Sequence, residues 1–178
     1  VTAVQAAPGK VVISANLTGT GKQGFTVHHK VTYTILGNGV IKADNDVSFS
    51  DPKVVLARLG VRMFLKTDLN QFSYFGRGPM ENYVDRKRGF DIGVYSSTVN
   101  QQVTPYEKPM ENGNHEDIRW AKLSGKNASL TIKKDDKLLQ VSAQPHSDEE
   151  MEPVEYKIDL PKSTATVLTV SAHTMGVG

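Results

Sequence analysis

The amino-acid sequence predicts an all-β fold of antiparallel strands. Three features predict it: period-two alternation over long stretches, short apolar runs set apart by turn residues, and a single helical turn. The first strand is expected over Val11–Leu17. From Phe25 the odd positions read Phe25, Val27, His29, Val31, Tyr33 and Ile35, against Thr26, His28, Lys30, Thr32 and Thr34, which describes a strand with one buried and one wet face. After Gly37-Asn38-Gly39 the apolar positions resume at Ile41, Ala43, Val47 and Phe49. Opposed residues share a face, so Ile35 is expected opposite Ile41, through a three-residue loop with Gly39 in the left-handed region. Further strands are expected at Leu56–Leu65, Phe72–Phe75, Ile118–Leu123, Leu130–Lys133, Leu138–Ala143, Tyr156–Leu160 and Val167–Ala172. The helical turn starts at Ser147, where Glu150 completes a capping box, and Pro153 ends it. Neither an internal repeat nor a linker is visible, so one β-sandwich domain over 1–178 is the expectation.

A chain of 178 residues suffices for a substantial core. Its 21 basic and 19 acidic residues leave a net charge of +2, so no strong field points to nucleic acid or to a membrane surface. No apolar run approaches the ~18 residues that span a bilayer. Cysteine is absent, which excludes disulfides and thiolate metal sites but leaves the compartment open. The chain starts at Val1 without Met and stops at Gly178 directly after an apolar run, so both ends read as cut from a longer polypeptide.

Two segments concentrate polar chemistry. In Tyr74-Phe-Gly-Arg-Gly-Pro-Met-Glu-Asn-Tyr-Val-Asp-Arg86, Gly76, Gly78 and Pro79 fix a tight path, read as a rigid loop leaving a strand. Thr104 to Trp120 is the second segment. Loops of this kind on a β scaffold are where recognition chemistry sits. They hold the carboxylates Glu81, Asp85, Glu107, Glu111, Glu116 and Asp117. A glycosidase needs two carboxylates facing one another, roughly 5–5.5 Å apart for retention or 6.5–9.5 Å for inversion. The structural alternative, that they cap loops and pair with Arg77, Arg86 and Arg119, is preferred because ion-pair networks mimic active sites.

The five histidines show no metal spacing, and His28 and His29 fall on opposite faces of one strand. No glycine-rich loop opens a helix and no nucleophile signature appears. Trp120 reads as a core anchor at a strand start. Tyr74, Tyr83, Tyr95 and Tyr106 lie in or near the polar loops and could line a groove, a surface that suits sugars. The sequons at Asn16 and Asn127 are read as chance.

The residues Phe75-Gly-Arg-Gly-Pro-Met-Glu-Asn-Tyr-Val-Asp-Arg86, Tyr106 to Pro109, Glu111-Asn-Gly-Asn114 and Met175-Gly-Val-Gly178 together resemble the C-terminal, fifth domain of the large β-galactosidases of glycoside hydrolase family 2. Order and spacing match along nearly the whole chain, and Arg119 with Trp120 also fits the pattern. The resemblance implies a large antiparallel supersandwich, similar to galactose mutarotases, packed beside a (β/α)8 barrel. That barrel, absent from this chain, carries the nucleophilic and acid/base glutamates and the magnesium and sodium sites of a retaining hydrolase of terminal β-D-galactose. Three positions depart from the pattern. Val167 stands where a substrate-reaching tryptophan is found, His115 where arginine is usual, and Tyr156 where histidine is common.

The expectation is therefore a catalytically silent accessory domain whose partners are a β-galactoside and the other domains of a parent enzyme, which is expected to be cytoplasmic or periplasmic and could be a homo-oligomer. Its groove-lining candidates are Glu81, Asn82, Tyr83, Tyr106, Glu111, Asn112, Asn114, His115, Arg119 and Trp120, with Glu111 and Asn112 foremost. Two alternatives are a carbohydrate-binding module with Tyr83, Tyr106 and Trp120 as platform, and a mutarotase-like enzyme. The latter would need a late-strand histidine where Tyr156 stands.

Overall fold

The computed structural model describes residues 1–175, so most of the Met175-Gly-Val-Gly178 motif lies outside the described residues. The chain resolves into two compact units, Val1–Val55 and Leu56–Gly178.

Unit one is a single four-stranded antiparallel sheet, ordered β1 (Thr2–Ala7), β2 (Lys10–Thr20), β3 (Thr26–Leu36), β4 (Ile41–Phe49). The hairpin between β3 and β4 has the expected register: Ile35 faces Ile41, the Leu36 N–H reaches the Val40 carbonyl at 2.9 Å, and Gly39 takes φ +86°. Phe25 and Phe49 stack with centroids 6.1 Å apart. Val31 alone of this unit's residues is fully buried.

Unit two is an antiparallel sandwich. One sheet runs β10 (Ser129–Lys133), β9 (Trp120–Ser124), β6 (Gln71–Gly78), β7 (Asp91–Thr98). The other runs β5 (Arg58–Leu65), β12 (Thr166–Thr174), β11 (Leu139–Gln144), β8 (His115–Ile118). Alternation sets the inward rows. Phe72 and Tyr74 from β6 and Ala121 and Leu123 from β9 meet Ile118, Val141, Ala143 and Leu168 of the second sheet, each at most 1 % exposed. Burying a side chain of the Phe or Leu class contributes roughly 1.5–3 kcal/mol. Among the described residues no helix is long and apolar enough to cross a membrane.

Several elements depart from the expected ones. Tyr156–Leu160 is no strand: Lys157–Asp159 forms a 3₁₀ turn and Ile158 stands 91 % exposed. Period-two alternation needs a neighbouring strand to satisfy its backbone, and this segment has none. The expected strand Ile118–Leu123 breaks at Arg119 into β8 and β9, which lie in different sheets. β6 continues through Gly78, so Gly76 and Gly78 belong to a strand rather than a loop. A Cβ at Gly76 would run into Ile118 Cδ1, and one at Gly78 into the Tyr74 hydroxyl. β1 and β7 were not among the expected strands. The capping box is present, with the Ser147 N–H on Glu150 Oε2 at 2.8 Å and the Glu150 N–H on Ser147 Oγ at 3.3 Å, opening α1 (Asp148–Met151).

Candidate functional site

The two polar segments converge in unit two and are tied to one another. Asn82, wholly buried, acts as the staple. Its Nδ2 donates to the Arg77 and Met80 carbonyls at 3.0 Å each, and its Oδ1 accepts the Glu116 N–H at 2.8 Å. Its backbone N–H reaches the Asn114 carbonyl at 2.7 Å, and Asn114 Nδ2 returns to the Asn82 carbonyl at 2.8 Å. Asn112 closes its own loop, accepting the Thr104 N–H at 3.0 Å and donating to the Met110 carbonyl at 2.7 Å.

Glu81 is the charged hub. One oxygen accepts from Arg86 Nη2 and from the Tyr106 hydroxyl, and the other takes the Gly113 N–H at 2.6 Å. Burial alone would raise its carboxyl. The Gly113 N–H, the Tyr106 and Thr104 side chains and Arg86 outweigh that and hold it below the usual carboxylate range. Gly113 makes this possible: φ is +74°, and a Cβ there would strike the Gln144 amide. Arg86 also lies over the Tyr83 ring, 5.1 Å from its centroid.

A second ion-pair chain runs Glu149–Arg62–Asp148–Arg58–Glu111–Tyr83. Arg62 Nη1 contacts both Glu149 oxygens at 2.8 and 2.6 Å, and Asp148 Oδ2 bridges Arg62 and Arg58. Arg58 Nη2 meets Glu111 Oε1 at 2.6 Å, while the Tyr83 hydroxyl donates to Glu111 Oε2 at 2.9 Å. Burial outweighs Arg58 and Tyr83 here, so the Glu111 carboxyl sits above its ordinary value. Burial, then Glu111 and Glu81, likewise push the Tyr83 phenol up. Both oxygens of Glu81 and of Glu111 are thus engaged, and neither acid is paired with a nucleophile.

The third cluster joins Arg77 to Asp117 (Nε to Oδ2, 2.5 Å), with Arg77 Nη1 on the Phe90 carbonyl at 2.8 Å. Lys87 Nζ stands 3.4 Å from both Glu116 and Asp117. Burial raises the Glu116 carboxyl more than Lys87 lowers it. The expected pairing of Arg77 and Arg86 with loop carboxylates is therefore present.

His115 is a core ring rather than a groove residue. It is 1 % exposed, lies against Tyr74 with centroids 4.2 Å apart, and places Nε2 2.5 Å from Gln102 Oε1 and Nδ1 3.1 Å from the Arg77 carbonyl. Burial pulls its pKa down to about 4 against the Arg77 carbonyl, so the imidazole is neutral at pH 7.

Arg119 and Trp120 sit elsewhere. Ala121 and Leu123 point into the core, so Trp120 lies on the outer face of β9, in register with Phe75. The Arg119 guanidinium covers the Phe75 ring at 5.2 Å and donates to the Asp117 carbonyl at 2.5 Å. Tyr83, Tyr106 and Trp120 form no common platform, since Tyr83 is buried beneath Arg86. Of the candidates, Tyr106 remains open, on the rim of a small hollow of about 30 Å³ that Met110, Asn112, His146 and Met151 also line.

The sequence reading passed over Arg58, Arg62, Asp148 and Gln102. A signal for the arginines existed: two cations four apart on a strand share one face. Their partners in the first turn of a capped helix, Asp148 and Glu149, were equally visible. Among the described residues no group of three or more His, Asp or Glu converges as a metal would require.

Comparison with known proteins finds similar chains among the β-galactosidases. A β-galactosidase of Priestia megaterium is 32 % identical over 148 residues, 83 % of this chain and 14 % of its own length. One from Lactobacillus delbrueckii subsp. bulgaricus gives the same identity and shares. The β-galactosidase BgaC of Bifidobacterium adolescentis is 34 % identical over 122 residues, 67 % of this chain and 12 % of its own length. The chain therefore spans about one seventh of the length of the curated relatives it matches first. The family model described as beta galactosidase small chain matches residues 2–178, and with the two interlocked polar loops in place the chain belongs to that family.

Proposed function

We propose that the chain is a non-catalytic accessory part of a glycoside hydrolase family 2 β-galactosidase. Its parent releases terminal β-D-galactose with retention, using glutamates in a barrel outside this chain. In this reading both units serve the parent as one accessory region, and any magnesium or sodium belongs with the barrel. The chain's own contribution is a rigid wall beside the substrate, with Tyr106 and Met110 on its open rim.

The observation that carries this reading is the engagement of the acids. Glu81 and Glu111 have both oxygens bonded to arginine, tyrosine or backbone N–H, so neither is poised to attack or to exchange a proton with a sugar. The clasp they build serves rigidity, which a supporting wall needs. Purified chain, free of host enzyme, is expected not to hydrolyse a nitrophenyl β-galactoside. Turnover above the uncatalysed rate, abolished by Glu81→Gln or Glu111→Gln, would overturn the proposal.

A further inference from the structure

Among the described residues six strands lie at sheet edges, and five are defended against pairing with another chain. β1 is bulged between Gln5 and Ala7, and β4 carries Lys42, Asp44 and Asp46. β5 carries Arg58 and Arg62, β10 has five residues and ends in Lys133, and β8 has only four. Bulges, charges and shortness are the usual protections of an open edge. β7 is the least defended, with a single charge, Asp91, at its first residue. Its eight residues, Asp91–Thr98, hold no Lys, Arg or Pro, and it pairs with β6 without a bulge from Gly78–Asp91 to Gln71–Thr98.

The outer face leading to this edge is apolar along one row. Trp120, Phe75 and Val94 are consecutive cross-strand partners, and Ile92 lies beside Val94 on the same face. Val94 is 66 % and Ile92 44 % exposed. Backbone parity completes the picture. The Phe75 carbonyl accepts the Arg119 N–H at 2.8 Å and so points away from β7. At this register the N–H and C=O groups of Ile92, Val94 and Ser96 therefore face the open edge. The Thr98 N–H, of the same parity, is caught by Gln101 Oε1 at 2.8 Å.

We infer that β7 is a self-association edge, occupied by β7 of a second copy in antiparallel pairing across a two-fold axis at Val94. A two-fold normal to the sheet keeps each face on its own side, so the residue numbers of each pair must sum to an even number. Centring on Val94 sets Ile92 opposite Ser96, Gly93 opposite Tyr95 and Asp91 opposite Ser97. No like charges meet. The apolar row then runs unbroken as Trp120–Phe75–Val94–Val94–Phe75–Trp120 through both copies, and the free backbone groups of Ile92, Val94 and Ser96 find partners.

Sedimentation of the chain over a concentration series tests this. A reversible dimer is expected, with Val94→Lys raising its dissociation constant by about tenfold or more. Circular dichroism checks that the variant stays folded, since the new side chain lies on the exposed face. An independent readout uses the absence of native cysteine. Hydrogen-bonded antiparallel partners have Cα atoms about 5.5 Å apart, within disulfide reach, so Val94→Cys should cross-link under mild oxidation and Ser96→Cys should not. A chain monomeric at every concentration, a dimer indifferent to Val94→Lys, or equal cross-linking of the two cysteine variants would each overturn the assignment. The first result would leave the edge to a strand from elsewhere in a longer parent protein.

Discussion

The two units use the same antiparallel grammar with unequal results. In unit one, β1 to β4 form a regular ladder of long strands, yet the unit by itself is a single layer, and Val31 alone of its residues is buried. In unit two, shorter strands face a second sheet, and Phe72, Tyr74, Ile118, Leu123 and Val141 lose essentially all contact with water. Ladder hydrogen bonds largely replace bonds to water and add about 1 kcal/mol or less each, whereas a closed core adds the transfer free energy of whole side chains. Layering, not strand length, separates a stable sandwich from a sheet that depends on its surroundings.

The largest expected effect tests that difference directly. Phe72→Ala should destabilise the chain by about 3–5 kcal/mol in denaturant titration, while Val31→Ala costs clearly less. Equal losses would break the comparison. Acid comes next. The His115 pKa is about 4 in the fold against an ordinary 6.5, so the folded chain holds the ring neutral where the unfolded chain binds a proton. Stability attached to this ring is complete above pH 6.5 and is lost as pH falls towards 4, by about 3 kcal/mol at most. Glu111 and Glu116 oppose it, because their raised carboxyls take up protons more readily in the fold than unfolded. The difference between wild type and His115→Asn, followed by denaturation at pH 7, 5.5 and 4, isolates the histidine. A flat difference sinks the assignment.

Glu81→Gln should follow at about 1–3 kcal/mol at pH 7. It removes the charge that Arg86 and Tyr106 address and weakens the bond to the Gly113 N–H. Because the Glu81 carboxyl is held low, the wild-type advantage is present above its unfolded pKa and disappears as pH drops through the folded value. Smallest is Glu149→Gln: its partner Arg62 is half-buried, but the Glu149 side chain itself is 71 % exposed. A change above about 1 kcal/mol would make the Arg58–Arg62 chain a structural element rather than a solvated one.

Much of the fold was legible because its rules are local. The Ile35–Ile41 register followed from alternation and one glycine, and the Ser147–Glu150 box from two side chains three apart. Arg77, Arg86 and the loop acids were readable as partners, though not who pairs with whom. The failures share a cause. Tyr156–Leu160 alternates like a strand, but only an adjacent strand makes alternation into structure. Ile118–Leu123 looked continuous because nothing local marks Arg119 as the corner between two sheets. β7, DIGVYSST, is weakly apolar and was read past, although it completes the sheet of β6.

The sequence by itself determined the all-β character, the hairpin register, the cap of the short helix and the two polar loops, since each depends on residues a few positions apart. Only the tertiary structure decided that those loops clasp each other through Asn82 and Glu81, that His115 lies in the core, and that Trp120 faces outwards beside Phe75. Burial and pairing are properties of what lies across a gap in space. The chain's linear order specifies which groups can bond, and packing selects which of them meet and at what dielectric cost.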